Sequence, residues 1–484
     1  MRDRLLLLAA AGLAFGASLG SGFHFDDYGI FSDPAITSPD GWLRLWGLSQ
    51  TRPLTYLTYW LNYQAGGTNP LGYHAFNLAL HLAAALLAFE CLRRMLPGRA
   101  AWLAAAIFAV HPIQAESVDY IWGRSMVLAS LLCFGSLLAW LSGRRWMAVE
   151  CFAAALAAKE ECAAFPLVLG LLWIFPGQAD RLPDRHRAKW PLAAMLLLSL
   201  AAGLRVIYAA AVTPGAQAGA GAGITPAHYA LTQGVAILRY LRLLMVPWGF
   251  TIDPDIPVPP PWLGALAWAA ILCAAALAWR RRTVWGLWLL AGLVLLLPSS
   301  SVFPAADLAA DRRMYLPLVA FAAAAAVPLS RIRSTFIPAL AIAVLLAGSV
   351  YRTAVWRSDQ ALWREALAHA PRKVRPRIQL ARSLSPPEAL RLLDEARRLA
   401  PGDPAVAAET GRTLLAAGNP AAALGEFGRA LALDPRDAGN YNNRGVALAA
   451  LGQTDAARRD FERALELSPG FTAAAENLRK MEGR

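Results

Sequence analysis

Two adjacent carboxylates stand among aromatic residues in Phe23-His24-Phe25-Asp26-Asp27-Tyr28, directly after an apolar run over residues 5–22. Burial at such a boundary raises a carboxylate's pKa, because the anion loses water, and suits it to take a proton from a hydroxyl near neutral pH. The plainer role of a helix or loop cap fits the same pair equally well. His24 reads as an interfacial residue rather than a ligand.

Other polar residues enter apolar surroundings further on. Thr51-Arg52-Pro53-Leu54-Thr55 leads through Leu61-Asn62-Tyr63 to Gly72-Tyr73-His74-Ala75-Phe76-Asn77, and His81 follows Asn77 by one helical turn. Asn77 and His81 therefore share a helix face, and polar groups inside a membrane span are costly enough to suggest function. Hydrogen bonding between helices is the competing explanation. His111-Pro112, Glu116, Asp119 and Arg124 gather charge near the outer ends of two spans. Arg124 lies in an apolar context, so an anionic partner is expected for it: Asp119, Glu116 or a bound phosphate. Lys159-Glu160-Glu161 separates two short apolar stretches and fits either a site or a solvated tip. Asp311-Arg312-Arg313-Met314-Tyr315 puts two arginines where the charge pattern of the other loops forbids them, and guanidinium groups at headgroup depth are well made to hold a lipid phosphate.

These residues need a membrane bundle to position them. The chain has 484 residues, 57% hydrophobic and 16% charged, with a mean hydropathy of +0.40, too apolar for an ordinary soluble protein. Candidate spans are 5–22, 72–92, 100–116, 120–141, 146–158, 162–176, 190–212, 262–279, 283–303, 314–330 and 334–351, eleven in all. With a cytoplasmic N-terminus, every short basic cluster except Arg312/Arg313 falls inside: Arg2/Arg4, Arg93/Arg94/Arg99, Arg144/Arg145, Arg181/Arg185/Arg187/Lys189, Arg280–Arg282 and Arg331/Arg333. The formal charge of +13 is thereby an orientation signal, and nucleic-acid binding is not expected. Residues 1–22 are read as a retained first span rather than a cleaved signal. Segment 228–248, interrupted by Arg239 and Arg242, is expected to lie on the outer interface. Loops 23–71 and 213–261 then face outward together with the C-terminal tail, and loops of that length usually carry function.

Cys91, Cys133, Cys151, Cys162 and Cys273 lie in apolar spans without a CxxC pair, so neither a disulfide framework nor a zinc site is indicated. No P-loop, GxGxxG or HExxH occurs, which removes ATP, dinucleotide and zinc-protease readings. The tail is periodic. Pro401, Pro435 and Pro469 recur every 34 residues, the tetratricopeptide period, and Gly411/Ala423/Phe427/Ala430 repeats as Gly445/Ala457/Phe461/Ala464. The predicted fold is all-α: a polytopic membrane bundle over 1–355, then a tetratricopeptide α-solenoid over 356–484. Residues 356–400 form a degenerate repeat, and full repeats cover about 404–437 and 438–471.

Taken in order, Phe25-Asp26-Asp27, Arg52-Pro53-Leu54-Thr55, Leu61-Asn62-Tyr63, Asn69-Pro70-Leu71-Gly72-Tyr73-His74, Ala109-Val110-His111-Pro112 with Glu116-Ser117-Val118, Gly123-Arg124, Lys159-Glu160 and Asp311-Arg312 with Tyr315-Leu316-Pro317 resemble the transmembrane and tetratricopeptide-repeat (TMTC) proteins. These belong to the family C glycosyltransferase superfamily and are related to protein O-mannosyltransferases. The resemblance implies transfer of one sugar, mannose in the animal members, from a polyprenyl phosphate to a Ser or Thr hydroxyl on the extracytoplasmic face. By that likeness Asp26 or Asp27 activates the acceptor, while Arg124 and Arg312, with Arg313 beside it, hold the donor phosphate. The Ala/Arg-rich composition and compact loops look bacterial, which would make the protein a multi-pass component of the inner membrane with periplasmic repeats and an undecaprenyl-type donor. A divalent metal would help if both Asp side chains point inward, but nothing requires one. The repeats are expected to recruit a protein acceptor or partner. Two other readings compete: transfer to an envelope glycan or lipid, and a non-enzymatic membrane-anchored scaffold.

Overall fold

A computed structural model describes residues 1–175, 188–213, 218–300, 302–481 and 483. Arg181, Arg185, Arg187 and Arg484 lie outside the described residues, as do 214–217 of the second long loop. The chain divides into two compact units, Met1–Ser358 and Asp359–Arg484. Among the described residues both are helical and contain no strand, apart from a single bridge between Ala218 and Ala305.

Among the described residues of the first unit, seven helical segments are long and apolar enough to cross a membrane: Arg2–Gly20, Pro70–Met95, Ile121–Leu141, Lys189–Val212, Pro261–Arg281, Asp311–Leu329 and Phe336–Val355. Apolar helices Gly98–Val110 and Val284–Leu296 are shorter. The expected count of eleven is therefore not reproduced by length and composition. The stretches 146–158 and 162–176 form helices of only 14 and 10 residues, Arg145–Ala158 and Phe165–Ile174. Burial sorts the long helices. Within its most apolar window Ile121–Leu141 is 72% buried, whereas Lys189–Val212 is 11% buried. An apolar helix left so uncovered by protein has its leucines facing lipid, which is the solvent of a polytopic bundle.

Helix starts follow local chemistry. Asn69 accepts from the Leu71 N–H at 3.1 Å before Pro70, and Thr283 accepts from the Gly286 N–H at 3.0 Å. At the centre, Gly98–Val110 packs against Pro70–Met95 and Tyr315–Leu329, and nearly all of its residues are buried. The first helix is built into this bundle: Leu7, Ala11, Ala14 and Phe15 are buried, and the Thr353 hydroxyl oxygen lies 3.2 Å from the Ala14 carbonyl. Helix Pro226–Met245 departs from the interfacial expectation. It buries Tyr229, Ile237, Tyr240 and Leu243, and the Arg239 that interrupts its apolar pattern is paired with Asp311 at 2.6 Å.

The second unit is a stack of helical hairpins, Arg375–Ala381 with Pro386–Leu399, Pro404–Ala416 with Pro420–Leu433, and Ala438–Ala450 with Thr454–Leu467, followed by Thr472–Met481. The repeated Gly and Phe have one physical cause. A Cβ on Gly411 would lie 2.7 Å from the Phe427 ring, and one on Gly445 would lie 2.7 Å from Phe461. Each repeat thus seats its second-helix phenylalanine against bare backbone of its first helix. The irregular stretch before Pro401 has a first helix of only 7 residues, against 13 in the next two hairpins.

Candidate functional site

Residue Phe25 opens a short 3-10 helix, Phe25–Tyr28, with φ of +41°, a left-handed conformation that a bulky side chain adopts only under constraint. The two carboxylates that follow are made unequal by this turn. Asp27 is fully buried; its Oδ2 accepts from the His24 N–H at 2.9 Å and its Oδ1 from the Trp122 N–H at 2.8 Å. Burial pushes its pKa up to about 7, against those amide hydrogen bonds. Asp27 is thus a cap joining two loops. Both of its oxygens are held by backbone amides. Asp26 is partly exposed, and its N–H donates to the Tyr120 hydroxyl at 3.2 Å.

From Tyr120 a polar surface runs through residues far apart in sequence. Tyr120 lies within electrostatic reach of Asp26 and Arg312. Arg312 donates from Nη1 to Glu116 at 2.5 Å and from Nη2 to Asp307 at 3.1 Å. Arg313 turns to the carbonyls of Leu308, at 3.3 Å, and Asp307, at 2.8 Å. Lys159 sits 3.3 Å from Glu161 and within electrostatic reach of Arg52 and Arg312. Burial, with Arg52 adding to it, lowers the Lys159 pKa to about 8. Glu160 takes two hydrogen bonds from Arg52, at 3.0 and 2.6 Å. Lys159-Glu160-Glu161 is accordingly a partly buried, paired segment and not a solvated tip.

The remaining candidates stand apart from this surface. Arg124 is fully buried, and its partners are neutral: Asn77 Oδ1 at 2.6 Å, Asn62 Oδ1 at 2.6 Å, Tyr73 O at 2.9 Å and Thr58 at 3.3 Å, with the rings of Tyr59 and Phe76 each 4.8 Å from the guanidinium carbon. The expected anionic partner is absent among them. Glu116 belongs to Arg312, and Asp119 accepts from Thr353 at 2.9 Å. Carbonyl oxygens and aromatic faces stabilise the cation in its place. Asn77 also donates to the carbonyls of Val118 and Tyr120, each at 3.2 Å. His81 bridges the Tyr315 hydroxyl at 2.8 Å and the Ala109 carbonyl at 3.1 Å. His111 Nδ1 caps the Ile113 N–H at 3.1 Å. These four are interhelical or capping pins.

Sequence reasoning missed Tyr120 and Asp307, whose positions carry no spacing signal. The chemistry available is a partly exposed carboxylate at Asp26, whose amide donates to Tyr120, and a separate cation, Arg312, already matched by Glu116 and Asp307. The Asp307 side chain is 36% exposed while Glu116 is 3% exposed, so only Asp307 can give up its place on Arg312 to an incoming anion at little desolvation cost.

Comparison with known proteins finds both a repeat model and a group of similar proteins. The Tetratricopeptide repeat family model matches residues 441–471. Protein O-mannosyl-transferase Tmtc1 of Drosophila melanogaster is 52% identical over 97 residues, covering 20% of this chain and 11% of that protein. Human TMTC1 is 37% identical over 164 residues, 30% of this chain and 18% of its own length. Human TMTC4 is 26% identical over 414 residues, 69% of this chain and 55% of its own. The chain thus spans little more than half, and often far less, of the curated relatives it matches. The chain is similar to the TMTC protein O-mannosyl-transferases.

Proposed function

We propose that the membrane unit transfers one sugar, mannose or another hexose, from a polyprenyl phosphate to a Ser or Thr hydroxyl of an extracytoplasmic protein recruited by the repeats. The observation that carries this reading is the partly exposed Asp26 joined through Tyr120 to the neighbourhood of Arg312. An anomeric carbon bonded to a lipid phosphate already has a good leaving group, so the protein must take the hydroxyl proton, align the attack and neutralise the departing phosphate. In this reading Asp26 accepts the proton as the hydroxyl oxygen bonds to the anomeric carbon. The bond from that carbon to the phosphate oxygen breaks, and the polyprenyl phosphate leaves against Arg312, taking the place of Asp307, with Lys159 nearby. Arg124 and Asp27 serve by holding the loops. The names of the relatives, protein O-mannosyl-transferases, support the reading. It also places the protein in a bacterial inner membrane, with a cytoplasmic N-terminus and periplasmic repeats.

Glycoproteomics of extracytoplasmic proteins tests it, comparing cells with the gene, without it and with Asp26→Asn. Hexose additions to Ser or Thr present only with the intact gene are the expected result. Identical profiles in all three would refute protein glycosylation by this chain.

A further inference from the structure

We propose that a groove at the end of the membrane unit away from Asp26 seats a phospholipid with a zwitterionic, primary-ammonium headgroup, of the phosphatidylethanolamine class. Three helices begin at this groove: Arg2–Phe15, Gly98–Val110 and Phe336–Val355. Asp3, Gly98, Arg99 and Thr335, all at those helix starts, line one cavity of about 610 Å³, within the roughly 300 to 1,000 Å³ of small-ligand sites. Asp3 stands at the start of the segment Arg2–Gly20 and Asp26 beyond its end, with about 30 Å of helix between them. The groove and the candidate catalytic surface therefore belong to opposite membrane faces.

The head of the groove carries both signs of charge. Among the described residues, Asp3 and Arg99 are the charged side chains that line it, and both are exposed. Arg99 spends Nη2 on a neutral partner, the Ser334 carbonyl at 3.0 Å, which leaves its other N–H groups for an anion. None of the three helices has a side-chain cap at its N-terminus; in the third, Ser334 Oγ accepts from the Phe336 N–H at 3.1 Å. The first-turn amides of Gly98 and Arg99 thus add donors and the positive end of a helix dipole beside the guanidinium. A phosphate fits Arg99 and those amides, and an ammonium fits Asp3. The dipole alone favours an acid in a first turn, but it does not account for the apolar trough that starts there.

That trough is walled by Trp102 and Leu103 on one helix and by Ile342 and Leu346 on another. Helix Phe336–Val355 is only 22% buried in its most apolar window, so an acyl chain can enter sideways from the bilayer. Lipid tails are as apolar as leucine and gain little by moving from bilayer to trough. Selection must come from the head. Exposed Arg2, Arg331 and Arg333 at the same end would draw any anionic lipid, yet Asp3 inside the lining opposes a headgroup that is only negative. A trimethylammonium has the right charge but no N–H to donate to Asp3.

The test reconstitutes the full-length protein in nanodiscs holding equal amounts of phosphatidylethanolamine, phosphatidylcholine and phosphatidylglycerol with the same acyl chains. Native mass spectrometry then weighs the lipid that the released protein retains. Phosphatidylethanolamine should exceed each of the others by at least about tenfold, the worth of one hydrogen bond to a charged group. Asp3→Ala should bring phosphatidylethanolamine and phosphatidylcholine to within about twofold of each other by removing that bond. Arg99→Gln should lower retention of all three lipids by about tenfold, as the phosphate loses its cation. Ala343→Phe fills the trough from an exposed lining position and should displace the lipid. Arg331→Gln, at the same end but outside the lining, should change nothing. Equal retention of the three lipids by the wild type, or a preference for phosphatidylglycerol, overturns the proposal whether or not any variant folds. An undiminished preference in Asp3→Ala overturns it as well.

Discussion

The Arg52 guanidinium and the Glu160 carboxylate face each other through two hydrogen bonds, Nε to Oε2 at 3.0 Å and Nη2 to Oε1 at 2.6 Å. This fork joins the outer loop before helix Pro53–Gly66 to the turn after helix Arg145–Ala158. Burial alone would push Glu160 up, but Arg52 outweighs it by charge and by hydrogen bond, with help from Lys159, and holds the group at about 2, below its ordinary 4.5. A carboxylate with a depressed folded-state pKa adds stability that is complete above the unfolded value and is lost as pH falls through the folded one. The window is therefore pH 4.5 down to about 2. Up to about 3 kcal/mol is at stake, on the order of 1.4 kcal/mol per unit. Acid unfolding of the detergent-solubilised protein should show this loss, and Glu160→Gln should flatten the curve in that window while lowering stability at neutral pH.

Arg124 gives the opposite prediction from its sequence context. Its hydrogen bonds reach two other helices, one at Thr58 and Asn62 and one at Tyr73 and Asn77, and so tie both to its own. Arg124→Ala leaves buried acceptors unpaired and should destabilise the unit by about 1 to 3 kcal/mol for each acceptor left without a donor. Arg124→Lys should recover part of this, because an ammonium cannot reproduce the planar fork. Thermal unfolding in detergent measures both, and a donor-binding defect in a fully stable Arg124→Ala protein would contradict the assignment.

The contrast shows what residue types alone convey. Gly411 with Phe427 and Gly445 with Phe461 were readable because a repeat displays the same contact twice in one sequence. The charged candidates were readable as costly groups in an apolar setting, and the structure pairs Arg52 with Glu160 and Arg312 with Glu116. Which of them are pins was not readable. Pairing is decided by long-range packing, and Arg124 finds carbonyls and rings where composition suggests an anion. Tyr120 stayed hidden because its partners, Asp26 and Trp356, are 94 and 236 positions away. The count of eleven spans is not confirmed for a related reason: helices such as Arg145–Ala158 are apolar enough to suggest a crossing but only 14 residues long.

In the repeat unit, Gly411→Ala and Gly445→Ala each force a methyl to 2.7 Å from a phenylalanine ring. Overpacking of this kind costs about 1 to 3 kcal/mol. Each substitution should lower the unfolding temperature of the repeat unit, and pairing it with Phe427→Leu or Phe461→Leu should restore part of the loss. Additive loss in the double mutants would show that the contact is not the cause.

Asp26 and Asp27 should separate cleanly when each becomes Asn. Asp26→Asn keeps size and exposure, so stability should stay within about 0.5 kcal/mol while transfer falls by about 10²- to 10⁴-fold. Asp27→Asn places an amide nitrogen against one of two backbone N–H donors and should cost about 1 to 2 kcal/mol. Chemical denaturation followed alongside transfer distinguishes them, and equal stability of the two variants would remove the capping role of Asp27.

Truncation divides labour between the two units, and the packing says where to cut. Ending the chain at 400 would strip Val406 from the cluster it forms with Ile378, Leu393 and Ala396, leaving that cluster open to water. Ending it at Ser358 follows the boundary between the compact units. The apolar clusters of the repeats, around Leu393, Phe427 and Phe461, are each built from residues beyond 359, so the membrane unit loses none of these contacts. A 1–358 protein should therefore fold, bind a polyprenyl-phosphate sugar and modify a short Ser/Thr peptide. It should lose modification of its native protein acceptors by at least about tenfold, the loss expected when a tethered site no longer raises the local acceptor concentration. Site occupancy on extracytoplasmic proteins, compared between full-length and truncated strains, measures this. Unchanged occupancy would remove recruitment from the repeats and leave the membrane unit to bind the whole acceptor, which favours a small glycan or lipid.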